Sequence, residues 1–183
     1  RRYFNVSREY SFALRASAAS SQGKNPETFL AGGISNWINY ELDGSYIDYL
    51  SDYEDLYFSE YVVPIRGVPY FAYTGNHYTA FNAEFRFPFI DYLSVRWPIS
   101  LVIGNVRGEI FSDWVKTWNA DQIDGLTLTD ILFTDQNNSY WGTGFGMRMN
   151  LGIFVLRYDM AFDMSKKTLW PNRQHIWSLG LDF

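Results

Sequence analysis

The sequence of 183 residues contains no cysteine, so neither a disulfide framework nor a cysteine metal site is available to it. No stretch approaches the roughly 20 consecutive apolar residues that a membrane-spanning helix needs, and no heptad or helical stripe is sustained. Positive charge is scarce. Lys and Arg number 15 against 20 Asp and Glu, a net charge of -5, which excludes the basic footprint of a nucleic-acid-binding protein. Histidine is limited to His77 and His175, far apart in sequence, and with no cysteine beside them they make a poor zinc site. The opening residues, Arg1-Arg2-Tyr3-Phe4-Asn5-Val6, have none of the zones of a signal peptide and read as the tail of a strand, so further chain is expected before them.

Aromatic residues are abundant instead. They make up 20% of the chain against 19% charged residues, too many for disorder and unusual for a soluble domain, so something other than water is expected to face those rings. With no helix available, a chain of this kind would cross a membrane as strands. Alternating segments of about ten residues recur at roughly 1–6, 10–20, 78–88, 99–115, 139–150, 152–164 and 173–183, the length a tilted membrane strand requires. The six prolines, Pro26, Pro64, Pro69, Pro88, Pro98 and Pro171, fall outside these runs or at their ends, as they must if strand N–H groups are committed to ladders.

The connections alternate between short and long. Short turns at 7–9, 90–94 and 150–152 would lie on the periplasmic side; the stretches 21–77, 117–138 and 165–172 would lie outside. Within the strands, one face is apolar and the other charged. Phe81, Phe85 and Phe87 oppose Asn82, Glu84 and Arg86; Val102, Val106, Ile110 and Trp114 oppose Asn105, Arg107, Glu109 and Asp113. Tyr10, Phe12 and Leu14 oppose Ser11, Arg15 and Ser17, while Trp141, Phe145 and Met147 oppose Gly142, Gly146 and Arg148. Leu156, Tyr158, Met160 and Phe162 oppose Arg157, Asp159 and Asp163. Arg or Lys facing lipid at the midplane would cost roughly 2–4 kcal/mol, so the charged faces are expected to point inward. The alternative is a soluble antiparallel sandwich with the aromatic face as its core and the charges in water. Five successive strands with this alternation and no intervening helix favour the membrane. Tyr92, Trp97, Trp114, Trp118, Tyr140, Trp141, Trp170 and Trp177 near strand ends would form the aromatic girdles.

The chain ends His175-Ile176-Trp177-Ser178-Leu179-Gly180-Leu181-Asp182-Phe183, a closing strand with Trp177, Leu179, Leu181 and Phe183 toward lipid and Ser178, Gly180 and Asp182 inward. It resembles the C-terminal sorting signal of outer-membrane barrels, which implies that deleting Phe183 lowers outer-membrane levels. Two further stretches, Ile65-Arg66-Gly67-Val68-Pro69-Tyr70 and Asn82-Ala83-Glu84-Phe85-Arg86-Phe87-Pro88-Phe89, are similar to the bacterial surface antigen family, the barrels of BamA-type assembly factors and TpsB-type secretion channels. That family carries a Val/Ile-Arg-Gly-aromatic motif at the tip of a long loop folded into the lumen, then a strand reading Asn-x-Glu-Leu-Arg-Phe-Pro-Leu. Here Val68-Pro69-Tyr70 stands where the aromatic usually follows Gly directly. Phe29-Leu30-Ala31-Gly32-Gly33 resembles the stretch that opens the same loop, and 144–150 with 156–159 the penultimate hairpin.

The resemblance implies an all-β, antiparallel transmembrane β-barrel of which residues 1–183 are the C-terminal part, about seven strands of an expected sixteen, with an inward-folding loop over 21–77. The missing N-terminal strands would follow a periplasmic module, either POTRA-like repeats or a TolB-like propeller. It further implies a bacterial outer-membrane protein that inserts outer-membrane proteins or translocates polypeptides. Membrane lipids, the rest of its own barrel, unfolded outer-membrane proteins and accessory lipoproteins are its expected partners; no enzyme activity, metal or cofactor is expected. The runner-up function is a passive porin for small solutes, resting on a charged lumen.

Arg66 stands apart from the strand charges, because an Arg-Gly on a loop tip has no strand neighbour and needs an acceptor if buried. Gly67 would let the backbone approach the wall closely. The expected acceptor is Glu109, mid-strand on the inward face, with Asp113 or Glu84 as alternatives; the resemblance also points to an acidic residue on that strand. Tyr70 would complete the motif. The carboxylates Glu41, Asp43, Asp48, Asp52, Glu54, Asp55 and Glu60, and the run 121–125, fit no known calcium loop and read as solvated acidic surface.

Overall fold

Alternation of apolar and polar residues dominates the local signal, and every regular element described is a strand. The structure is a computed structural model describing residues 2–5, 7, 9–40, 59–96, 101–119, 130, 138–151, 153–165 and 172–181. In chain order the strands are β1 (Arg2–Asn5), β2 (Ser11–Ser20), β3 (Thr28–Ala31), β4 (Ser59–Val63), β5 (Tyr73–Gly75), β6 (His77–Val95), β7 (Leu101–Trp118), β8 (Ser139–Asn150), β9 (Phe154–Asp163) and β10 (Gln174–Leu181).

Seven of them form one antiparallel sheet in the order β1-β2-β6-β7-β8-β9-β10, so each expected strand has a counterpart and each pairs with its sequence neighbour in that set. The sheet is open, with β1 and β10 as its edges. Between β2 and β6 the chain leaves the sheet and builds a second, three-stranded one, ordered β4-β3-β5, in which β3 runs parallel to β4 and antiparallel to β5. The long loop expected over 21–77 therefore has secondary structure of its own, and its last residue, His77, already belongs to β6.

Two other expectations are corrected. Residues 90–94, read as a short turn, continue β6 and pair with β7 (Tyr92 with Gly104, Ser94 with Val102), so the connection lies further on, between Val95 and Leu101. Pro88, expected at a strand end, sits inside β6. A register shift between Pro88 and Ile90 absorbs it, since a bulge leaves one residue out of the ladder and tolerates a missing N–H.

The two faces of the main sheet have opposite fates. On the face bearing the charges, Glu84, Glu109, Asp113 and Asp159 are buried, together with Phe111 and Ile176. On the other face Phe81, Ile110, Trp141, Phe145, Trp177 and Leu179 are exposed. A soluble sandwich with the aromatic face as its core would show the reverse. The three-stranded sheet covers the charged face: Phe29, Ala31, Val63, Ile65 and Val68 pack on Tyr78, Ala80, Val115 and Tyr140. Beside it, Ile34 joins Phe111, Ala161 and Ile176, with Trp37 against them.

Candidate functional site

The 65–70 segment follows β4 and is pinned to the end of β3 by main-chain hydrogen bonds. Ile65 N–H donates to the Gly33 carbonyl at 2.9 Å, and Gly33 N–H donates to the Val68 carbonyl at 3.1 Å. Gly33 has φ +74°, and a Cβ there would meet the Tyr70 ring at 2.7 Å, so only glycine lets the aromatic lie flat on the backbone. Tyr70 donates its hydroxyl to the Ile34 carbonyl and packs edge-on against Tyr40 at 4.8 Å. The two glycine-bearing stretches singled out in the sequence thus form one unit.

That unit presents Arg66 to the charged face of the sheet. Arg66, 7% exposed, donates Nε to Asp113 Oδ2 at 2.7 Å and Nη2 to Asp113 Oδ1 at 2.8 Å, a side-on bidentate pair. Its main-chain N–H reaches the same carboxylate at 3.2 Å. Nη1 donates to Glu109 Oε1 at 3.0 Å, and Glu84 Oε1 lies 3.3 Å from Nη2. Glu109 is the expected acceptor, with Asp113 and Glu84 as alternatives; the structure brings all three to Arg66, with Asp113 making most of the hydrogen bonds. Register explains the convergence. Glu109 and Asp113 lie on one face of β7, four residues apart, and Glu84 on the matching face of β6, where its neighbour Arg86 pairs with Glu109.

The guanidinium carbon also lies 3.7 Å from the centroid of the Phe111 ring, between the two β7 carboxylates in sequence. Burial by itself disfavours the Arg66 cation, but Asp113 and then Glu109 and Glu84 outweigh it and raise its pKa above the ordinary value. The arginine is a permanent charge locked to the sheet.

Gly67, at φ +89°, makes the close approach possible, since a Cβ there would run into the Tyr140 hydroxyl and come within 2.9 Å of Ala161 Cβ. Tyr140 donates to the Arg66 carbonyl at 3.1 Å. Expected in the aromatic girdle, it is instead 2% exposed and faces the covering loop. Its parity with Gly142 and Gly144, which sit on that face, was the signal that could have placed it. Trp118 is likewise buried, against His77, whereas Tyr92, Trp141 and Trp177 are exposed. Trp97 and Trp170 lie outside the described residues.

A second tier of charge surrounds the cluster. Arg86 pairs with Glu84 at 2.5 Å, and Arg148 pairs with Glu109 at 2.5 Å. Asn82 donates to Asp113 at 3.0 Å, so Asp113 is held from both the loop and the neighbouring strand.

At the other sequence-derived positions, Trp177 and Leu179 share the exposed face of β10, and Ser178 lies buried on the opposite one. Leu181 closes β10, while Phe183 and the acidic residues 41–55 and 121–125 lie outside the described residues. Glu60 belongs to β4 and is exposed. His77 and His175 are on β6 and β10, with three strands between them. No protein-family model, curated protein or solved structure matches the chain.

Proposed function

We propose that the protein is an outer-membrane β-barrel of the class that inserts outer-membrane proteins or moves polypeptides across the membrane. The observation that carries this reading is the Arg66 clamp: a loop-borne Arg-Gly, with its guanidinium on Asp113, Glu109 and Glu84, fixes a folded loop across the charged face of a strand meander. A passive pore needs a charged wall but not a structured loop bound to it by a buried ion cluster. A loop held by a reversible polar clamp, by contrast, can be released when a polypeptide needs room.

The burial pattern supports the membrane part of the reading. Exposed Phe81, Ile110, Trp141 and Phe145 opposite buried carboxylates make an arrangement suited to lipid outside and a polar interior. In this reading the strands beyond β1 come from the rest of the barrel, the outer edge of β10 over 175–179 being held by residues 36–39, and membrane lipids, unfolded outer-membrane proteins and accessory lipoproteins are the partners.

The test is a paired assay with the full-length protein in lipid vesicles. Faster folding of an urea-unfolded outer-membrane barrel added from outside is expected, and Arg66→Ala should reduce that acceleration severalfold. Steady small-solute conductance with no effect on the folding or passage of any polypeptide would replace this reading with the porin.

A further inference from the structure

The clamp does not use all the charge on the covered face. Beside it lies a cleft of about 360 Å³, roofed by loop residues Ile34, Ser35 and Pro64 and floored by β2, β6, β8, β9 and β10. Five arginines line it: Arg15, Arg66, Arg86, Arg148 and Arg157. Three carboxylates, Glu84, Asp113 and Asp159, line it too, and Glu109, paired with Arg148 and Arg66, adds a fourth. Arg66, Arg86 and Arg148 each have a carboxylate partner among these.

Positive charge is crowded at one place. Arg148 of β8 and Arg157 of β9 are direct cross-strand partners on the same face, a like-charge juxtaposition that disfavours the sheet unless something offsets it. Arg148 has Glu109; no described carboxylate pairs with Arg157. The Nε–H groups of Arg86, Arg148 and Arg157 are all buried without a hydrogen-bond partner, Arg86 Nε lying 4.0 Å from Glu109, and the acceptors Asn82 Oδ1 and Asp159 Oδ1 beside them are unsatisfied too. Three orphaned cationic donors around one polar cleft are costly in a protein that binds nothing there. The local backbone is fitted to them as well. Gly180 on β10 leaves the space that Arg157 occupies, since a Cβ there would meet Nη2 at 3.3 Å, and buried Ser178 stands directly across from Arg157.

We propose that this cleft is a binding site for a small oxyanion, a phosphate or carboxylate group, held by Arg157 and Arg148 with Arg86 at its side. Guanidinium forks match both groups in bidentate geometry. The volume lies at the small end of the range for small-molecule sites, enough for an organic phosphate or a short polycarboxylate. The site is independent of the proposed function, because it lies on the covered face whatever medium meets the other. Its roof is the loop that carries Arg66, so occupancy would brace the loop against the sheet.

The experiment uses the full-length protein in detergent micelles, with inorganic phosphate and citrate as probes and chloride at matched ionic strength as the control. Equilibrium dialysis should show saturable phosphate binding, and each probe should raise the thermal midpoint above the chloride control. The stronger of the two identifies the ligand class. Losing one charged donor costs about ten- to a hundredfold in affinity, so Arg157→Gln should bind phosphate at least tenfold more weakly. The same variant removes the like-charge pair and should be no less stable than wild type in phosphate-free buffer. Gly180→Ala, which crowds the Arg157 guanidinium, should weaken binding with Arg157 intact. Absence of saturable binding for both probes, a stabilisation that chloride reproduces, or equal affinity in wild type and Arg157→Gln would each overturn the proposal.

Discussion

Arg66 illustrates how a single side chain can decide the position of a loop. Removing it leaves the Asp113 carboxylate with the neutral Asn82 amide and takes one cation each from Glu109 and Glu84, and breaking a buried pair from one side typically costs about 3–5 kcal/mol. Arg66→Ala should lower the unfolding free energy from a urea titration by that order and expose the 59–75 segment to protease. Asp113→Ala, which removes the bidentate partner and the acceptor of the Arg66 main-chain N–H, should be worse than Glu109→Ala. The Arg66→Ala/Asp113→Ala double variant should lose less than the sum of the singles, because they share one interaction. Strictly additive losses would show that the pair does not hold the loop. Gly67 gives a second residue-scale prediction. Gly67→Ala should destabilise the loop through its φ of +89° and its collision with the Tyr140 hydroxyl, and adding Tyr140→Phe should recover part of the loss by removing that oxygen. Urea denaturation of Gly67→Ala and of the double variant checks this, and a double variant worse than Gly67→Ala alone would contradict it.

Among the elements, β10 matters most, because it is an edge of the main sheet and edges invite unwanted pairing. Its outer side is covered by the chain segment 36–39. Ile38 N–H donates to the Trp177 carbonyl at 2.8 Å, and Leu179 N–H donates to the Asn36 carbonyl at 3.2 Å. Asn39 adds its side chain, accepting from Trp177 N–H at 2.8 Å and donating to the His175 carbonyl at 2.8 Å, which imitates one peptide group of a neighbouring strand. Asn39→Ala should raise the local opening of β10 by about 1 kcal/mol, or roughly fivefold faster amide exchange at Trp177. Unchanged exchange there would mean that the backbone bonds of 36–38 suffice. The same element-scale logic explains β6: a strand of 19 residues carries a proline only because the ladder slips by one beside it.

At the scale of the whole molecule, the character of the face opposite the loop separates lipid from water. Phe145, exposed at mid-strand in β8, is the cleanest probe. In the proposed membrane setting Phe145→Arg should cost about 2–4 kcal/mol in vesicle-folding titrations and lower the amount of folded protein recovered from membranes. In a soluble protein the same exchange on an exposed site would fall within about 0.5 kcal/mol of neutral. A neutral result in vesicles would therefore remove the support that the burial pattern lends to membrane insertion.

The seven strands of the main sheet, their order and the division between a charged and an apolar face were legible in the sequence, because side-chain alternation has a period of two and needs only neighbouring residues to express it. The role of Arg66 as a buried loop charge was also legible, since a cation without a local partner must find a distant one. What the sequence left open depends on separations in space. Asp113 rather than Glu109 holds the bidentate contact because Arg66 N–H and Nε reach the same carboxylate, a matter of where β4 delivers the loop. Tyr140 became an anchor because Gly67 and Gly142 clear the space around its ring, and the two are 75 positions apart in the chain. The 21–77 stretch hid its three short strands, one pairing parallel, because strands of three to five residues carry too few alternations to stand out. The arginine cleft was invisible for the same kind of reason. Arg148 and Arg157 read as separate wall charges until the β8–β9 register set them face to face, and only the fold determines that register.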